Sequence, residues 1–219
     1  MTIRTNAGLK LFMQSAIGSS FTISGITKAA PGVITTSSAH SLSAGDVVLL
    51  TVQGMVELNG RLFKVISPSG STLSIADVDG ATGIDTSGYN TFASGTLNKI
   101  TLGTSITGVQ DFAFTGGDIK TTDTTTVQDL QDTQIVVGAN AMSADMTMQW
   151  DPSNAAQQAM IAAFQTRANK GFKILWPDGA FALWYGTVGY TGAPGGGKQA
   201  VTTSPAKITM LGALTVCAA

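Results

Sequence analysis

The sequence predicts a mostly β fold of the α+β kind: an antiparallel β-sandwich or barrel with one packed α-helix, plus a small inserted β-barrel-like domain. Three observations carry this expectation. Only 11% of the 219 residues are charged, while Thr (30) and Gly (26) are abundant, a balance that favours strands and turns over helices. Apolar and polar residues alternate through most of the chain, as they do in half-buried strands. One stretch alone, "WDPSNAAQQAMIAAFQTRANKGF" at 150–172, repeats at helical spacing.

The opening "MTIRTNAGLKLFMQSAIG" predicts a strand over 9–13. Lys10 and Gln14 interrupt any apolar run, so neither a signal peptide nor a membrane span is expected, and synthesis in a cytoplasm is the default. Strands at 33–36, 47–52, 61–66 and 72–75 follow, with Asn59-Gly60 and Ser69-Gly70 as tight-turn dipeptides. Residues 19–97 therefore read as a small β-barrel or sandwich of their own. "ATGIDTSGYNTFASGT" reads as a loop or linker.

Residues 1–18 and 98–219 form the main β domain in this reading. In "GVQDFAF", Phe112 and Phe114 share one face, and Asp111 and Ala113 the other. "AMSADMTMQW" alternates most sharply: Met142, Ala144, Met146, Met148 and Trp150 against Ser143, Asp145, Thr147 and Gln149. Between them, residues 115–134 are too polar to bury and long for a hairpin loop. In the helix, Asp151 is the expected cap and Pro152 the first helical residue. Ala156, Met160, Ala163 and Phe164 make the apolar stripe, with Asn154, Gln157, Gln158 and Gln165 on the wet side. Arg167 and Lys170 suit the last turn, and Gly171 ends it, for a length of about 28 Å. Strands at 172–176, 181–190 and 207–216 complete the domain, the last alternating Ile208, Met210, Gly212, Leu214 and Val216 against Thr209, Leu211, Ala213 and Thr215. The helix should pack on the sheet through Phe112, Phe114, Met146, Met148, Trp150, Met160 and Phe164, leaving the sheet's polar face open.

No chemical motif survives inspection. "GAPGGGK" at 192–198 is followed by Gln199, not Ser or Thr, and by no helix pattern, so the phosphate cradle is incomplete. "DVDGATGID" lacks the bidentate Glu of a calcium loop. His40 and Glu57 are each the only residue of their type, and Cys217 is the only cysteine. No catalytic, cofactor or metal site is expected, and no internal disulfide forms. Net charge is −1, which argues for neither nucleic-acid nor membrane affinity. The charges are nonetheless blocked. Residues 111–151 hold seven Asp and one Lys, and residues 152–219 hold one Arg and four Lys against Asp178. Such blocks face each other within a fold or between copies of it.

An ordered set of segments, "ITGVQDFAFTGGDIKTTDTTTVQD", "SADMTMQWDPSNAAQQAMIAAF", "FKILWPDGAFALWYGTVGYTGAP" and "SPAKITMLGAL", resembles the major tail tube protein of long, flexible-tailed bacteriophages. The match covers about residues 1–18 and 98–219. Residues 19–97, with "HSLSAGD" and "ELNGRLFKV", resemble β-rich modules of phage tail proteins and read as an insert displayed outside. The resemblance implies hexameric rings stacked into a virion tail tube, assembled in the host cytoplasm, that houses a tape-measure protein and conducts DNA. Its further partners would be tail terminator and baseplate or tip proteins, with no membrane. It places Asp111, Ser143, Asp145, Thr147 and Gln149 on the lumen. A polar, acidic wall lets DNA slide, where a basic one would hold it. Asp118, Lys120, Asp123, Asp129 and Asp132 would lie on an inter-ring loop facing Lys170, Lys173 or Lys198 of the next ring. The rival readings are a contractile-tail or type VI secretion tube, a β-rich surface adhesin module, and an enzyme with a degenerate phosphate loop.

Overall fold

The computed structural model describes residues 7–128 and 130–219, and its strands follow the alternation. In chain order they are β1 Lys10–Met13, β2 Ala16–Ile26, β3 Ile34–Thr36, β4 Val47–Gln53, β5 Arg61–Lys64, β6 Thr72–Leu73, β7 Ser94–Thr101 and β8 Thr104–Ile106. Next come β9 Val109–Thr115, β10 Ile119–Asp123, β11 Gln134–Ala139 and β12 Ser143–Gln149. After the helix α1, Ala155–Gln165, follow β13 Asn169–Leu175, β14 Phe181–Gly189, β15 Thr203–Met210 and β16 Thr215–Cys217.

Eight strands form one antiparallel sheet in the order β8-β1-β13-β14-β15-β12-β9, with β16 also on β14. Its edge strands β8 and β9 are consecutive in the chain, separated only by Thr107 and Gly108. Seven strands laid flat would span about 29 Å at about 4.8 Å apart, whereas three Cα steps reach about 11 Å. The sheet therefore curls back on itself. Its inner face holds Leu11, Met13, Met146, Met148, Phe172, Trp184 and Ile208, with Phe112 and Phe114 packed against them. Trp184 is the centre of this core: it stacks on Phe172 at 5.6 Å and meets Phe114 edge-on at 5.3 Å.

The helix closes the core beside β8 and β14, but it is shorter than the sequence implies. Its 11 residues span about 16 Å. Asn154, not Asp151, is the cap, accepting from the amides of Ala156 and Gln157. Asp151 and Pro152 precede the helix, and the Asp151 carboxylate is occupied by the Ser153 amide and hydroxyl. At the far end the Ala168 amide reaches the Ala163 carbonyl and the Arg167 amide the Phe164 carbonyl, a Schellman turn. Arg167 takes the left-handed position (φ 53) usually left to glycine, and β13 starts two residues later. Gln157 is not on the wet side either: it is buried, accepts from the Tyr190 hydroxyl and the Asp151 amide, and donates to the Gln149 carbonyl. Met160, Ala156 and Ala163 are buried as expected, while Phe164 and Trp150 lie at the margin, 41% and 38% exposed.

Six strands form the second sheet, β5-β4-β7-β2-β3-β6, and a bridge between Val65 and Ile75 joins its two ends. Val48, Leu50, Phe63, Val65, Leu73 and Leu97 fill the inside. This small barrel runs from Ala16 to Thr101, a few residues beyond the 19–97 expected. The chain enters it at Gln14-Ser15 and leaves it at Leu102-Gly103, and the two passages are bonded side by side, Ser15 amide to Thr101 carbonyl at 2.8 Å.

The small barrel and the curled sheet share a third apolar cluster: Leu49, Leu62, Ala76 and Ile100 from the barrel, Phe181, Leu183 and Cys217 from the sheet. Consequently β14 is buried on both faces at residues 181–184. Arg61 ties the seam from the second sheet. It donates to the Glu57 carbonyl and the Thr215 hydroxyl and lies over the Phe63 ring at 4.8 Å. Gly171 is not a helix end but a strand residue at this seam, where a Cβ would lie 3.0 Å from Leu62 and 3.2 Å from Ile100. The expected strand over 207–216 is two strands, because residues 211–214 bulge opposite Trp184 and Tyr185. After the bulge Thr215 and Cys217 are buried toward the seam and Val216 is exposed.

Two outcomes follow from this packing. Gly171→Val should lower stability by about 1–3 kcal/mol through overpacking, read as a lower thermal midpoint, whereas Gly88→Ala, with nothing within 4 Å, should leave it unchanged or slightly raised. Gln157→Leu should cost about 1–3 kcal/mol by stranding the Tyr190 hydroxyl, and adding Tyr190→Phe should recover part of that in the same melting assay.

Candidate functional site

The outer face of the eight-stranded sheet is divided. Over β13 and β14 it carries Leu175, Phe181, Leu183 and Tyr185, and the small barrel covers it. Over β9, β12 and β15 the register aligns Asp111 with Thr147, Ala113 with Asp145, Asp145 with Lys207, and Ser143 with both Thr115 and Thr209. Among the described residues no element covers this polar half, which forms a depression of about 330 Å³ that includes Asp111, Asp145, Thr147 and Lys207. Because the sheet curls, its polar and covered halves face different directions.

Of the expected polar-face residues, Asp111 and Gln149 are exposed, Asp145 and Thr147 half-buried, and Ser143 buried. Ser143 is held by its neighbours: its hydroxyl lies 2.8 Å from that of Thr115, which donates to the Asp145 carboxylate at 2.6 Å. Lys207 approaches the same carboxylate at 3.8 Å. Lys207 and Thr115 escaped the sequence reading, though their pleat parity is legible: each stands opposite a residue named for this face.

The polar stretch 115–134 is not a featureless loop. β10 and β11 pair into a hairpin, with a register shift between Lys120 and Thr121. Gly116 and Gly117, both at φ 84, turn the chain out of β9 into it. Every residue of both strands is exposed, including Ile119, Ile135, Val136 and Val137 at 54–66%. Asp118, Lys120, Asp123 and Asp132 are all exposed on this arm, and Asp129 lies outside the described residues, as do residues 1–6. The Asp123 carboxyl is held below its usual range by hydrogen bonds from Thr125. Of the cations expected to face the arm, Lys198 is exposed and Lys170 half-buried. Lys173 lies over the Phe181 ring at 4.8 Å, where burial, with Lys64 nearby, lowers its pKa.

The remaining polar residues serve the fold. Asp79 accepts from the amides of Ala81 and Thr82 and the Thr82 hydroxyl, closing its own turn. Asp46 accepts from the Ser43 amide and from Lys99 at 2.8 Å. Burial pushes its carboxyl up, and the bonds from Lys99 and Ser43 outweigh it and hold the pKa low. His40 Nε2 lies 3.1 Å from the Thr72 carbonyl. After Lys198 the chain enters β15, so no helix N-terminus faces the glycine loop. Among the described residues no group of three His, Cys, Asp or Glu is placed to hold a metal, and no helix is long and apolar enough to cross a membrane.

Several solved structures resemble the chain, at low identity in the two that follow. A chain in "Virion of native gene transfer agent (GTA) particle" is 15% identical, covers 54% of this chain and 89% of that one, and has a TM-score of 0.40. A chain in "Tail of empty GTA particle computed with helical refinement, C6 symmetry" is 14% identical, covers 55% and 87%, and has a TM-score of 0.40. No curated protein matches the sequence. The family model described as "Phage tail tube protein, TTP" matches residues 53–219, about three quarters of the chain. A β-rich chain with an uncovered polar sheet face and an unsupported arm thus belongs to the phage tail tube protein family, and its role is structural, in the tube of a virion tail.

Proposed function

We propose that six copies of this chain close into a ring, that rings stack into the tail tube, and that the polar half-face of β9, β12 and β15 lines the lumen. The observation that carries this reading is the division of the outer sheet face. An apolar half is covered within the chain, and a polar half is left for something wet. Asp111, Ser143, Asp145, Thr147 and Gln149 would then meet the passing duplex. Asp111 and Asp145 against Lys207 leave each subunit's wall one negative charge in excess, a surface that does not retain DNA through phosphate contacts. Edge strands β8 and β9 present unpaired backbone groups, and ring closure pairs them with neighbours.

The arm supports the second half of the proposal. A two-stranded hairpin with no buried residue is marginal by itself, so its order has to come from a partner. Its apolar strands and aspartates suit the next ring, with Lys170 and Lys198 as the cations they meet; Lys173, half-buried at the seam, is the weaker partner. Residues 16–101 form an insert on the outside of the tube, since the seam they occupy is on the covered half. The tube would be built in the host cytoplasm around a tape-measure protein, bounded by terminator and baseplate or tip proteins, and would conduct double-stranded DNA.

Replacing Ile119 and Val136 together by Asp tests the arm. Both are exposed, so the unassembled chain should keep its stability within about 0.5 kcal/mol, while tubes disappear from negative-stain micrographs. Tubes of normal length from the double variant would refute the docking role.

A further inference from the structure

Among the described residues Lys207 is the one cation carried by β9, β12 and β15; Arg167, at the helix end, lines a neighbouring depression with Lys207 and Thr209, and the one carboxylate beside Lys207 lies on one side only. Across the sheet it stands opposite Asp145 on β12, at 3.8 Å, and opposite Gly189 on β14, which has no side chain to offer. Along its own strand the same-face neighbours are Pro205 and Thr209, both uncharged. Asp145 is itself fixed in place. The Thr115 hydroxyl spends its proton on the Asp145 carboxylate at 2.6 Å, so the Ser143 hydroxyl must donate to Thr115 at 2.8 Å. Ser143, Thr115, Asp145 and Lys207 thus form a polar chain across three adjacent strands. It ends on an ammonium whose side chain is 62% exposed.

We propose that Asp145 masks Lys207, holding laterally the one cation of the three wall strands, which would otherwise contact the phosphates of passing DNA. This inference rests on the lumen reading above. A single exposed ion pair is weak, but this one recurs in every subunit along the tube, so a small attraction per site multiplies along the duplex. An unmasked lysine engages a phosphate and releases a counterion, adding about 0.9 to the salt slope of binding for each contact made. Asp145 therefore does more than add negative charge: it cancels the retaining group that the wall strands themselves carry.

The test uses assembled tubes of the full chain and a short fluorescent DNA duplex. Asp145→Asn keeps an acceptor for Thr115 and removes the charge. It should raise retained duplex by about tenfold at about 50 mM salt, with the excess lost by about 200 mM. Lys207→Gln alone should retain no more than the unaltered chain, and Asp145→Asn with Lys207→Gln should return to its level. Retention by the double variant equal to that of Asp145→Asn, or no rise in Asp145→Asn, overturns the masking. If Asp145→Asn tubes do not form alone, tubes mixed with unaltered chain report the same comparison. A separate arm checks the lumen reading with Thr147→Cys, usable because the native Cys217 is fully buried. In assembled tubes a small maleimide should label residue 147 and a long polymer maleimide should not. Equal labelling by both defeats the lumen assignment itself, and labelling as expected with no effect of Asp145→Asn defeats the masking alone.

Discussion

Two residues, Thr107 and Gly108, tether the outermost strands of the eight-stranded sheet, and that tether forces the sheet to curl. Everything else depends on the curl. It encloses Trp184, Phe172 and their neighbours on the inside. It also sends the outer face in more than one direction, so one stretch can dock a second barrel while another stays open. A flat sheet with the same register would offer its polar strands and its apolar seam on a single plane.

The seam makes the second barrel part of the body of the molecule. Leu49, Leu62 and Ile100 interlock with Phe181, Leu183 and Cys217, Gly171 leaves just enough room, and Arg61 crosses with hydrogen bonds to both sides. Burial lowers the Arg61 pKa, the expected response of a guanidinium drawn out of water. On the proposed assembly, the barrel is then a rigid outward projection on the tube wall. The arm is the opposite case, with paired strands and no core. On the proposed assembly its order comes from a neighbouring ring, whose charges its exposed aspartates would meet.

Strong alternation was legible in the sequence. The faces of β12 and β9, and the small barrel's strands and turns, appear close to where the pattern placed them. What was not legible traces to contacts distant in the chain. The helix stops short because Arg167 adopts a conformation that composition assigns to glycine, so no stop signal was visible before Gly171. Gln157 looked solvated, but Tyr190, 33 residues on, supplies its buried partner. The strand over 207–216 looked continuous because a bulge that moves burial to the opposite face leaves no mark on local alternation. The arm looked like a loop because its Thr and Asp residues hide a weak pattern, and pairing across a ten-residue tip is not a local property. Parity groups Asp111, Asp145 and Thr147 on one side of the sheet, while the Lys207 contact required the neighbouring strand.

On the proposed assembly the uncovered half-face of β9, β12 and β15 surrounds the channel while the 16–101 barrel lies outside it. A helical reconstruction of assembled tubes by electron cryo-microscopy tests that most directly. The map should show Asp145 and Thr147 at the channel wall, the small barrel at the largest radius, and the β10–β11 arm on a neighbouring ring. A reconstruction with the small barrel toward the channel, or with Asp145 and Thr147 on the outer surface, contradicts that assembly.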